Sequence, residues 1–166
     1  MPFYQEIGFT KIQVAQITNF YGMWMTILGG LFAGLTLHRF GLVKNMIAGA
    51  IFVPLANIPF IFLNLIGNDV NFLIFTITVD NFSQGFISVV GITFLSNMVS
   101  ATYTATQYAL LYGLVVIPPN IISSGSGFVA EAYGFQNFFI LCALLGIPAI
   151  VLTLMVWQKR EVFGFD

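Results

Sequence analysis

Apolar residues come in long, nearly unbroken blocks along this chain. Residues 12–38, 45–68, 81–130 and 132–158 contain no Asp, Glu, Lys or Arg. A helix rises 1.5 Å per residue, so roughly 20 mainly apolar residues cross a hydrocarbon core of about 30 Å. The blocks predict five spans, at residues 14–37, 46–67, 71–98, 104–130 and 136–158. Helices are expected rather than strands. A membrane strand alternates apolar and polar over about ten residues, whereas these runs are continuous, and a helix pairs all its backbone groups within one span. The fold class read from the pattern is an all-α membrane protein of about five transmembrane helices.

The connectors set the orientation. Residues 38–45 hold Arg39 and Lys44 around Phe40 and Gly41, residues 67–71 form a polar turn, residues 97–103 are mixed and uncharged, residues 131–137 contain Gly134, and the tail from Lys159 is charged. Lys and Arg favour the cytoplasmic side. With the carboxyl terminus cytoplasmic, Arg39, Lys44, Lys159 and Arg160 lie inside, and only Lys11 lies outside with Glu6, Asp69 and Glu131. The amino terminus is then external. It shows no basic stretch followed by a short apolar segment, so a cleaved leader is not expected; the first span would serve as an uncleaved insertion signal.

Composition narrows the classes of function. Of the 166 residues, 58% are hydrophobic and 7% charged, against about a quarter charged in soluble domains; the mean hydropathy is +0.95. A net charge of −1 does not suit nucleic acid, which needs a basic surface. One histidine, His38, and one cysteine, Cys142, do not make a metal site. No G-x-S-x-G, H-E-x-x-H or phosphate-binding loop is present. No enzyme activity, metal or cofactor is expected.

Asp80 is the residue that calls for an explanation. It sits about ten residues into the third span, so about 15 Å deep. A carboxylate at such depth costs about 2.5–3.5 kcal/mol on insertion scales and is tolerated where it faces protein or water. Asn81, Ser83, Gln84 and Ser88 surround it in sequence, and Gln84 falls one turn on along the same face. These residues either line an aqueous path or hold helices together by hydrogen bonds; a proton-coupling role for Asp80 is a further option under the first reading. In the fourth span Gln107 and Tyr108 follow two threonines, and Pro118-Pro119 precede Asn120. Two prolines remove two backbone donors, which predicts a kink there. Ser123 and Gly127, and in the first span Gly30 and Gly34, have the small-x-x-x-small spacing that admits a close neighbour. Spans two and five are almost free of polar side chains and are expected to face lipid.

Two groups of residues then resemble known sequences. Gly30-x-x-x-Gly34-x-x-x-x-Arg39-x-Gly41 resembles the cytoplasmic loop motif of major facilitator superfamily transporters. Val79-Asp80-Asn81, Thr104-Ala-Thr-Gln-Tyr-Ala-Leu-Leu111 and Ser126-Gly-Phe-Val-Ala-Glu-Ala-Tyr-Gly-Phe-Gln-Asn-Phe-Phe139 resemble the muropeptide permease (AmpG-type) family within it. Pro2-Phe-Tyr-x-Glu-x-Gly-Phe9 is similar to the outer end of that family's seventh helix. Where the family often carries Asn-Lys before A-T-Q, this chain has Ser100-Ala101. The resemblance implies a fold of twelve helices in two halves, of which this chain would supply helices eight to twelve. It also implies a proton-linked importer of anhydro-muropeptides in a bacterial inner membrane, with a first half as partner. Asp80, Asn81 and Gln84 would line the cavity, and Gln107, Tyr108 and Asn120 would make polar contacts. The rival reading is a small helical membrane protein whose polar residues serve structure or assembly and not transport.

Overall fold

The computed structural model describes residues 2–99 and 104–158. Ser100, Ala101 and the basic tail with Lys159 and Arg160 lie outside the described residues, as does the side chain of Glu131. Five helical stretches are long and apolar enough to cross a membrane: Lys11–Phe40, Leu42–Ile66, Val70–Asn97, Ala105–Ala130 and Ala132–Gln158. Among the described residues there is no strand.

The first stretch is compound. A short helix α1 (Pro2–Glu6) turns at Gly8, whose φ of 101° suits only glycine. Thr10 then caps α2 (Lys11–Ala15). The Gln13 backbone N–H donates to Thr10 Oγ1 at 3.3 Å, and the Thr10 N–H donates back to Gln13 Oε1 at 3.2 Å, so two orphan donors are satisfied at once. The coil widens into a π-helix over Gln16–Tyr21 before continuing as α3 (Gly22–Phe40).

Span two is split. α4 (Leu42–Leu55) stops, and α5 (Ile58–Ile66) begins after Ala56-Asn57. Pro59 has no N–H to offer the carbonyl four residues back, that of Leu55, which is where α4 ends. After Gly67, the Asp69 carboxylate starts α6 (Val70–Asn97) by accepting from the backbone N–H groups of Asn71 and Phe72 at 2.8 and 3.2 Å.

α7 (Thr104–Ser124) runs through Pro118-Pro119. The helix is not broken at the prolines; it stops at Ser124, and the next begins at Ser126 after Gly125. Proline's fixed φ is helical, so the chain continues although two carbonyls lose donors. Beyond them the hydroxyls of Ser123 and Ser124 both donate to the Asn120 carbonyl, at 3.0 and 2.8 Å. α8 (Ser126–Gln158) bends at Gly134, φ 78° and ψ 156°, which divides it into a short arm and the fifth crossing.

α3 and α6 form the most extensive pairing; α4 lies against both α6 and α8, and α5 against α8. α7 touches α6 and α8 only along short stretches. The α3–α6 crossing is backbone on backbone. A Cβ at Gly29 would overlap the Phe82 carbonyl, and one at Gly85 would overlap the Thr26 carbonyl. Such contact between small residues drives helix association where no hydrophobic effect operates. On one side of the crossing Phe3, Phe9, Val14, Phe60, Leu63, Leu73 and Ile77 cluster; on the other, Ala33, Leu42, Phe86 and Val90. Span two therefore does not merely face lipid: Leu42, Val43, Asn45, Gly49 and Ala50 are all buried on α4.

Candidate functional site

α6 presents chemically different faces, because successive residues are turned by about 100° around the axis. The face toward α3 is sealed. Tyr21 Oη and the Thr78 hydroxyl are 3.0 Å apart across the two helices. Thr26 Oγ1 donates to Asn81 Oδ1 at 3.2 Å, and Asn81 Nδ2 donates to the Ile77 carbonyl at 3.0 Å. Gly22 leaves the room for that amide: a Cβ there would come within 3.1 Å of it. Asn81 is thus clamped between helices. It does not share the cavity face that the sequence reading gave it, and the reason is its one-residue rotation from Asp80.

Asp80 looks the other way. It is half-buried and lines an open hollow of about 710 Å³ among α1, α5, α6 and the first turns of α8. Gln84, one turn on along α6, is exposed and is not among the residues lining the hollow. Tyr4 and Glu6 enter from α1, Asn57 from the break in span two, and Ser126 and Gly127 from α8. Aromatic rings make the rest of the wall. Phe3 packs on Phe135 and Phe139 at centroid distances of 5.1 and 4.9 Å, and Phe60 stacks on Phe139 at 4.8 Å. Tyr4 lies outside the crossing segments; burial first, and the Asp80 charge second, push its phenol up to about 12. It is a neutral O–H at physiological pH. The hollow therefore offers two carboxyl groups, a phenol, a hydroxyl and an amide within an aromatic frame. Such a surface suits reversible binding of a polar solute.

The remaining sequence candidates are scattered. Gln84 is exposed beside Asp80. Gln107 and Tyr108 stand at the start of α7 and do not line the hollow. Tyr108 stacks on Tyr112 with centroids 6.1 Å apart. Asn120 and Ser123 are exposed on α7, and Gly127 lines the hollow. In the first span Gly30 meets Val89, whereas a Cβ at Gly34 would meet nothing within 4 Å. Arg39 lies 5.5 Å from the Phe40 ring centroid, and Gly41, φ 79°, makes the turn into α4. Sequence reasoning missed the parts of the hollow other than Asp80 and Gly127. It placed Tyr4 and Glu6 outside the spans and gave Asn57 no role. The signal that was present is the aromatic spacing of Phe3, Phe135 and Phe139, which says little until the bundle closes.

Over residues 1–163 this bundle of five crossings matches the Major Facilitator Superfamily. The chain belongs to that family and is a multi-pass membrane protein. It is 30% identical over 161 residues to the protein named "Putative transporter AmpG 4" of Rickettsia conorii and, to the same degree, to that of Rickettsia felis. It is 28% identical over 158 residues to "Putative transporter AmpG 1" of Rickettsia prowazekii. These alignments take in 97%, 97% and 95% of this chain but only 39%, 39% and 36% of the relatives, so the chain spans less than two fifths of the length of the curated relatives it matches.

Proposed function

We propose that this chain is the carboxy-terminal part of a secondary-active, proton-coupled transporter that imports anhydro-muropeptides across a bacterial inner membrane. The first half of the relatives' length would come from a companion, and the amino terminus of this chain would face outward with its carboxyl terminus in the cytoplasm. The observation that carries this reading is the position of Asp80: a carboxylate within a span, on an open hollow. An ionisable residue inside a membrane protein that faces a cavity is by default a pathway residue. Substrate sites in such transporters lie between two halves, and one half alone supplies one wall. Asp80, Tyr4 and Gly127 would form that wall, with Gln84 one turn along α6 beside it; Gln107, Tyr108 and Asn120 would serve elsewhere on α7. Asn81, held against α3, would act in assembly.

The test is uptake of radiolabelled anhydro-muropeptide by cells co-expressing this chain with the companion half. Asp80→Asn is expected to abolish uptake or to make it indifferent to the proton gradient, while Asn81→Ala lowers only the amount of folded protein. Normal, gradient-dependent uptake by Asp80→Asn would leave the carboxylate as a packing residue and favour the rival, non-transporting reading.

A further inference from the structure

The hollow beside Asp80 has a one-sided chemistry that the transport reading leaves unused. Among the described residues that line it, the charged ones are Asp80 and Glu6, and none is Lys, Arg or His. Neither carboxyl is ion-paired among the described residues. Asn57 commits one amide hydrogen to the Val53 carbonyl at 3.1 Å and keeps its oxygen as an acceptor. The polar groups of this wall are thus mainly acceptors: two carboxylates and an amide oxygen, joined by the Tyr4 and Ser126 hydroxyls, which can accept or donate.

The apolar lining carries the same sign. Phe3, Phe60, Phe135, Phe138 and Phe139 are all part of it. The face of an aromatic ring is the negative side of its quadrupole, and a cation within about 6 Å of the ring centre is attracted to it. Phe3 and Phe60 are buried and back the wall, whereas Phe135, Phe138 and Phe139 are half-buried and within reach of an occupant. A carboxylate or phosphate on a solute would meet like charges and negative ring faces here, and the repulsion grows as the dielectric falls. An ammonium group reverses each of these terms. It only donates hydrogen bonds, the ring faces attract it, and it supplies a partner to a carboxylate that stands within a span.

We infer that this wall is the subsite for an organic ammonium group: the hollow takes the cationic end of a solute, with Asp80 and Glu6 as counter-charges and the half-buried phenylalanines around the hydrocarbon next to it. The inference rests on the reading that the hollow receives a solute, and it assigns the parts of that solute to different walls. An anionic part would fall to the companion half. The volume of about 710 Å³ is that of a small-molecule pocket.

The experiment titrates the full chain, in phosphatidylcholine nanodiscs, against three probes that share a fluorophenyl ring and differ in charge: a fluorophenyl-ethylamine, the matching ethanol and the matching propionate. Fluorine NMR of the probe reports binding, and empty nanodiscs supply the blank for partition into lipid. At neutral pH the amine is a cation and the propionate an anion. The amine is expected to bind about tenfold tighter than the alcohol, and the propionate not to saturate. Glu6→Gln and Asp80→Asn should each narrow the gap between amine and alcohol by about two- to fivefold. Glu6 is exposed and outside the spans, so its variant serves should Asp80→Asn not fold. Equal affinity for amine and alcohol in the unaltered chain, tighter binding of the propionate, or an amine preference untouched by both substitutions would overturn the inference. Amine preference beside uptake that ignores Asp80→Asn would keep this subsite and remove the transport reading; Asp80-dependent uptake without amine preference would do the reverse.

Discussion

Replacing Gly85 by alanine tests whether the α3–α6 crossing is the structural centre of the bundle. Two effects oppose each other. Within a helix, alanine is favoured over glycine by about 1 kcal/mol. At Gly85 the new methyl would overlap the Thr26 carbonyl, which is backbone and does not swing aside. Forcing a methylene into a packed interior costs typically 1–3 kcal/mol. Gly34→Ala is the matched control, because there the methyl meets nothing. The propensity gain is common to both variants and cancels, so Gly85→Ala should be less stable than Gly34→Ala by about 1–3 kcal/mol. Gly29 and the Phe82 carbonyl form the reciprocal contact in the same crossing. Once the helices have parted for one methyl, the second has less to displace. The double variant Gly29→Ala/Gly85→Ala should then cost less than the sum of the two, with a coupling of about 0.5 kcal/mol or more. Reversible unfolding by steric trapping in bicelles measures all four free energies. Equal stability of Gly85→Ala and Gly34→Ala, or strict additivity of the Gly29 and Gly85 changes, would refute the backbone-contact account.

Other consequences are open to measurement in the same system. Tyr21→Phe and Thr78→Val, alone and together, should show a coupling of about 0.6 kcal/mol, the average for a hydrogen bond between membrane helices; zero coupling would mean that the 3.0 Å contact does not hold the helices. Phe3→Ala should release α1 from its aromatic seat against Phe60, Phe135 and Phe139, at a cost of up to about 3–5 kcal/mol; hydrogen exchange should then rise across residues 2–9 while α6 stays protected, and unchanged exchange would count against the packing. Gly134→Ala should be destabilising by about 1–3 kcal/mol because its backbone, φ 78° and ψ 156°, lies in a region open essentially to glycine alone; a neutral effect would show that the turn tolerates another conformation.

Much of this protein was legible in the order of its residues, and the reason is the solvent. Lipid accepts no unpaired backbone group, so a long uncharged run has one solution, a helix; the existence of five crossings followed from that alone. Asp80 stood out by the same argument, since a lone carboxylate within such a run needs a reason. The sequence also marked the turns at Gly41 and Gly134, which both take positive φ. It did not reveal the π-helix at Gln16–Tyr21 or the continuation of α7 through two prolines, because both depend on small differences in backbone pairing within one helix.

Which face of a helix meets which neighbour was decided only by the tertiary structure. The hydrophobic pattern ordinarily assigns faces, but here every face is apolar, and lipid and protein interior reward the same side chains. Gly30 and Gly34 both read as packing glycines, yet one meets a Val89 methyl and the other open space. Asp80 and Asn81 read as one polar pair, yet they serve different faces of α6. The sequence by itself determined that the chain crosses the membrane and that a carboxylate lies within one crossing. The direction that carboxylate faces, and the aromatic frame brought to it from residues as distant as Tyr4 and Phe139, were decided by how the helices pack, which no one-dimensional pattern of polarity encodes.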